Sequence, residues 1–172
     1  HNSKMSTGFG QFNYHLLKGF FNIKYNTSRL IVHTDTISKF KKEFHNFFDY
    51  RYYWGMHRYE RFRISNKYDI WHCLNQNTKI LPKRDIPIVL TIHDVNFMEE
   101  TEDIKNNIVR KSLFEEKLKR AHRIVYISQY SKEQTHRYFE IKDTPESIIY
   151  NGCTISKKLP NLSRPNNSQK PF

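Results

Sequence analysis

Apolar residues recur along this chain with two periods that alternate, and the alternation predicts its elements. Phe12, Leu16, Phe20 and Ile23 fall at helical spacing, with Leu17 and Phe21 widening the stripe, so a helix is predicted over residues 12–23. Ser6-Thr7-Gly8-Phe9-Gly10 before it reads as a turn-rich entry loop. Arg29-Leu30-Ile31-Val32-His33 reads as a short buried strand, after which Ile37, Phe40, Phe44, Phe47 and Phe48 restore helical spacing over 36–48. Tyr50 to Arg63 is aromatic and basic without a clear period and reads as irregular or helical. Strands are predicted at Tyr68–Leu74, at Ile88–Ile92 (the strongest), at Arg123–Ile127 and at Ser147–Tyr150. A helix fits 104–121, and Ser131-Lys132-Glu133-Gln134 has the spacing of a capping box that opens another.

Short apolar strands alternating with helices define an α/β class: a Rossmann-like parallel sheet with helices on both faces. Such a sheet binds its ligands beyond the carboxyl ends of the strands. The polar residues at those ends are Asn75-Gln76, His93-Asp94, Ser128-Gln129 and Asn151-Gly152, so four strands are predicted to point chemistry at one crevice. The 172 residues suit one domain of ordinary size, able to fold without disulfide or metal. From Thr154 onward the sequence holds Lys, Pro, Asn and Ser but no acidic residue, which is the composition of a linker.

Composition narrows the function classes. Aromatic residues make up 15% of the chain, which supplies large buried areas and argues against disorder throughout. No apolar run approaches the roughly 20 residues that span a bilayer. Cys73 and Cys153 are the two cysteines, which excludes a disulfide framework or Cys-rich zinc site and suits a reducing compartment. The formal net charge of +12 is spread along the chain, with 11 basic and four acidic residues in 1–63. It favours partners that carry phosphate, whether nucleic acid, anionic lipid or a sugar nucleotide, without choosing among them. No H-E-x-x-H, G-x-S-x-G or Cys-centred nucleophile pattern occurs.

The order of motifs is more specific than any one of them. Gly8-Phe9-Gly10 before a helix, Thr91-Ile92-His93-Asp94 after a buried strand, Arg120-Ala121-His122-Arg123-Ile124-Val125-Tyr126-Ile127-Ser128, and Ile149-Tyr150-Asn151-Gly152 together resemble the amino-terminal lobe of the family-four retaining glycosyltransferases. These are GT-B enzymes with two Rossmann-like lobes and the active site in the cleft between them. The resemblance implies an acceptor-side lobe over residues 1–152 with its first strand missing, and a linker over 153–172 toward an absent donor-binding lobe. The family's pair of glutamates eight positions apart is also absent from this sequence.

The resemblance implies transfer of a hexose from a nucleotide-sugar to a polysaccharide or lipid-linked acceptor, with retained anomeric configuration and no metal or other cofactor. It further implies a cytoplasmic protein working at the inner face of an anionic membrane, with no specific nucleic-acid partner, and a lobe that does not turn over by itself. His93 and Asp94 are the implied catalytic pair, with His93 beside the reacting sugar. Gly8, Phe9 and Gly10 are expected to line the cleft near the donor phosphates. Asn75, Gln76, Ser128 and Gln129 are candidates for hydrogen bonds to sugar hydroxyls. Each has a structural counterpart: a His bonded to a neighbouring loop, a tight turn without ligand, a helix cap. For Lys39–Arg63, aromatics that pack on the sheet are set against a surface for lipid or single-stranded nucleic acid. Two other classes stay open on sequence: a basic nucleic-acid-binding module, and a non-catalytic partner subunit of a split glycosyltransferase.

Overall fold

The structure, a computed structural model, describes residues 7–99 and 104–152. The 153–172 segment, including the Lys170-Pro171-Phe172 end, lies outside the described residues. Among the described residues four α-helices and six strands follow in the order α1 (Gly8–Asn22), β1 (Ile31–Thr34), α2 (Ile37–Phe44), β2 (Asp49–Tyr52), β3 (Trp71–Cys73), β4 (Ile88–Ile92), α3 (Ile104–Arg120), β5 (Ala121–Tyr126), α4 (Gln129–Tyr138) and β6 (Glu146–Ile148). Every strand pairing is parallel, and the strands form two sheets, β1-β2 and β3-β4-β5-β6. This is the α/β, Rossmann-like class expected from the alternation of periods.

The main core lies around the four-stranded sheet. Leu90, Ile92 and Ile124 are inaccessible to solvent, as buried on both faces as a parallel sheet requires. Phe114 of α3 meets Phe139 at 4.8 Å and Phe97 at 5.9 Å between ring centroids, both edge-on, which locks α3 and the end of α4 to the loop after β4. A second cluster, Phe40, Phe44 and Phe48, packs with Phe20, Phe21, Leu30 and Val32. Phe40, Phe44, Phe47 and Phe48 of the aromatic-basic stretch therefore pack as core for the smaller sheet, whereas Phe62 is exposed and the lysines at 39, 41 and 42 face water.

Three local expectations need correction. The stretch after Tyr50 opens with a strand, because Asp49–Tyr52 pairs in register with Ile31–Thr34 before two 3-10 turns at Gly55–Arg58 and Glu60–Phe62. Gly8, Phe9 and Gly10 are the first turn of α1 and not a loop before it. Thr7 caps that helix by accepting the Gly10 amide at 3.1 Å, and a Cβ placed on Gly8 would meet nothing within 4 Å. Finally, α4 is capped by Ser128, three residues earlier than the predicted box. The Ser128 hydroxyl accepts the Ser131 amide at 3.0 Å, and the Ser131 hydroxyl accepts the Ser128 amide at 3.2 Å.

Candidate functional site

The carboxyl ends of β3, β4 and β5 bring together Asn75-Gln76, His93-Asp94 and Ser128-Gln129. β4 delivers His93 directly, since its last residue, Ile92, is fully buried and His93 is the first to emerge. The His93 amide donates to Oε1 of Gln76 at 3.1 Å, and its Nε2 lies 3.0 Å from the Leu74 carbonyl oxygen. A carbonyl can only accept, so Nε2 carries the proton and Nδ1 holds the lone pair. Phe9 and Phe12 of α1 set their ring edges against the imidazole at 5.0 and 4.6 Å. Burial under these rings lowers the His93 pKa, against the opposing pull of the Leu74 carbonyl and of Asp94. His93 is therefore a neutral, oriented imidazole with one accepting nitrogen.

The other predicted site residues divide by what their polar atoms already do. Asp94 is half-buried, and its carboxylate accepts the Asn96 amide at 3.4 Å. Asn75 and Gln76 are buried, not presented on the rim. Asn75 Oδ1 closes a local turn by accepting the Asn77 amide at 3.0 Å, and Gln76 Oε1 holds His93. Both fix the crevice wall, and Gln76 Nε2 is buried without a partner among the described residues. Ser128 is committed to its helix cap, while Gln129 is exposed and its amide reaches Glu133 at 2.8 Å. Phe9 serves through its contact with His93. Gly8 and Gly10 lie in the first turn of the same helix, whose dipole puts partial positive charge at this edge, and the Gly10 amide is taken by the Thr7 hydroxyl.

One participant was not singled out from sequence. Lys117 of α3 is 4% exposed, and its ammonium donates to the Gln76 backbone carbonyl. It thereby anchors the β3 loop that in turn holds His93. Helical spacing does mark it, because Lys117 falls three residues after Phe114 on the face that continues through Leu118 and Ala121. Burial lowers its pKa to about 8, opposed by Cys73 and Glu116. The folded state releases this proton near pH 8 and the unfolded chain near 10.5, so the unfolded chain binds more protons in between and stability rises with pH across that window. Relative to a Lys117→Met variant, the native protein should gain on the order of 2 kcal/mol between pH 7.5 and 10. Urea unfolding at both pH values measures it, and an unchanged difference would contradict the assignment.

A second cluster outside the crevice also escaped the sequence reading. Glu146 of β6 accepts from Tyr126 at 2.5 Å and lies 2.7 Å from His136 Nε2 and 3.1 Å from Lys132 Nζ. Burial raises its pKa, and the three donors outweigh that to hold the carboxyl below its usual range. The cluster ties β6 and α4 to β5. Among the described residues, no group of three or more His, Cys, Asp or Glu could hold a metal ion, and no helix is long and apolar enough to cross a membrane.

His93 thus stands at the carboxyl edge of a parallel sheet, beside the start of α1. The sequence model of Glycosyltransferase Family 4 matches residues 25–157. The chain belongs to glycosyltransferase family 4. The match takes in β1 to β6 and hence His93-Asp94, Asn75-Gln76 and Ser128-Gln129, while Gly8, Phe9 and Gly10 fall before it. No curated protein and no solved structure matches the chain significantly.

Proposed function

We propose that this family-4 domain is the acceptor-side lobe of a retaining glycosyltransferase that moves a hexose from a nucleotide-sugar to a glycan or lipid-linked glycan hydroxyl. The observation that carries the reading is the fixed, neutral His93 at the end of β4. In the transfer, the bond between the anomeric carbon and the donor phosphate oxygen breaks, and a bond to the acceptor oxygen forms. The acceptor proton passes to the released oxygen of the departing nucleoside diphosphate. His93 Nδ1 can accept a hydrogen bond from a sugar hydroxyl, while Nε2 stays engaged with the Leu74 carbonyl and holds the ring still. Such preset orientation costs no reorganisation when the sugar arrives. Asp94 lies next to it at the crevice, and the first-turn amides of α1 supply a partial positive charge for the departing diphosphate. The excess of basic residues suits both an anionic donor and an acceptor held at an anionic membrane surface.

No metal or other cofactor is required by this scheme. Donor phosphates are held chiefly by a second lobe, so the 172-residue chain alone should bind sugars weakly and release no nucleotide at an enzymatic rate. The test is to incubate the chain, alone and within a two-lobed enzyme, with UDP-glucose, UDP-galactose, UDP-N-acetylglucosamine and GDP-mannose. Proton NMR of the product then reads the anomeric configuration. Retained configuration in the two-lobed enzyme and no turnover by the chain alone are expected; an inverted product, or turnover by the chain alone, would overturn the reading.

A further inference from the structure

Lys117 is out of keeping with its surroundings. A lysine amine is almost never buried unless it is paired, because the charged form gives up its hydration. Lys117 is buried on the face of α3 that carries Phe114 and Leu118, yet the carboxylate next to it in the chain, Glu116, pairs with Arg63 at 2.7 Å and Arg120 at 3.7 Å. The ammonium donates instead to a neutral group, the backbone carbonyl of Gln76. Exchanging a buried charge for an apolar side chain of similar volume is often neutral or stabilising. Packing therefore does not account for a lysine here, and what it holds does.

What it holds is a loop that clasps His93 twice. The Leu74 carbonyl accepts Nε2–H of the imidazole at 3.0 Å, and Gln76 Oε1 accepts the His93 amide at 3.1 Å. Other bonds of the loop close it on itself, since Asn75 Oδ1 accepts the Asn77 amide at 3.0 Å and the Asn75 carbonyl accepts the Thr78 amide at 3.2 Å. Gln76 Nε2 is buried without a partner among the described residues, so it gives that side chain no second hold. The bond from Lys117 ties the clasp to α3, a helix fixed in turn by the rings of Phe97 and Phe139 against Phe114. Helix and imidazole are thus joined by two hydrogen bonds in series, through the backbone and then the side chain of Gln76.

We propose that Lys117 is a positioning residue for His93: through Gln76 its ammonium holds the β3 loop where Leu74 can accept from Nε2, and so keeps the lone pair on Nδ1. Loss of the ammonium proton turns a charge-assisted bond into an ordinary, weaker one, so the imidazole should respond to the titration of a group to which it is not bonded. Burial brings that titration to about 8. The titratable groups that face Lys117 are Cys73 of β3, Lys79 of the loop after it and Glu116 of its own helix. Burial pushes the Cys73 thiol up to about 11, beyond this range. Asp94 faces His93, whose own titration is lowered below the usual histidine value. The clasp stands without the sugar-transfer reading; its effect on transfer rests on that reading.

The test follows the His93 ring and amide by proton–nitrogen NMR across the Lys117 titration. It compares the native chain, Lys117→Met, and Leu113→Ala at a partly buried position one turn earlier on α3. In the native chain and in Leu113→Ala the Nε2–H proton should be visible, and the ring signals should step near pH 8. In Lys117→Met the step should vanish, the Nε2–H proton should be lost to solvent exchange, and the His93 amide should exchange about tenfold faster. An unchanged ring and amide in Lys117→Met would overturn the proposal. So would the same changes in Leu113→Ala, because any weakening of α3 would then suffice. In a two-lobed enzyme Lys117→Met should lower kcat about tenfold with KM unchanged. If the ring moves and kcat does not, the clasp stands and the sugar-transfer reading fails.

Discussion

Replacing Phe114 by Ala is expected to remove about 3–5 kcal/mol of stability, out of a total on the order of 5–15. Phe114 is 1% exposed and joins α3 to two other rings, Phe97 after β4 and Phe139 at the end of α4. Truncation loses the transfer free energy of a benzyl group, leaves a cavity that backbone elements on three sides cannot close, and removes two edge-to-face pairs worth about 0.5–1.5 kcal/mol each. The effect should reach the crevice, because Phe97 lies in the loop that continues His93-Asp94. Urea unfolding should show a lower midpoint with an unchanged slope, since the surface exposed on unfolding is nearly the same. A loss under about 1 kcal/mol would mean that this side chain is not packed as described.

Replacing His93 by Ala in a two-lobed enzyme is expected to lower kcat/KM about 10²–10³-fold, the usual effect of removing one preset polar contact to a reacting group. The variant also gives up the bond from Nε2 to Leu74, so a second substitution is needed to separate the roles. Gln at position 93 can donate to the Leu74 carbonyl from its side-chain amide, but its acceptor, Oε1, branches from the same terminal carbon and does not occupy the position of Nδ1. His93→Gln should therefore recover the thermal stability of the native protein while transfer stays low. If Gln restored both, His93 would act only by holding the β3 loop, and sugar contact would have to come from elsewhere. The depressed imidazole pKa means that this contact persists below the pH at which an ordinary histidine becomes charged.

How much of this was legible in the sequence depends on which physical signal each part leaves. β4 and His93 were plain, because four apolar residues and one Thr in a run of five, followed at once by two ionisable ones, mark a buried strand and its end. β2 was not, because Asp49-Tyr50-Arg51-Tyr52 lies at the rim of a two-stranded sheet and has no continuous apolar face. Gly8 and Gly10 read as a loop because glycine disfavours helices, yet the Thr7 cap and the ring contacts of Phe9 and Phe12 outweigh that local preference. Asn75 and Gln76 were correctly placed at a strand end. Their burial was not visible, since it depends on Lys117 arriving from a helix about 40 residues later. Ser128 and Ser131 are equally good caps by type, and the choice between them is made by where β5 ends.

The central claim is that the carboxyl edge of the four-stranded sheet is the sugar-binding face of this lobe. It is tested most directly by backbone amide NMR of the chain titrated with UDP-glucose, GDP-mannose and methyl glycosides. The account predicts concentration-dependent shifts centred on Gln76, His93, Asp94, Ser128 and Gln129 that His93→Ala reduces. Shifts confined to the basic stretch from Lys39 to Arg63, unchanged by His93→Ala and abolished by salt, would contradict it.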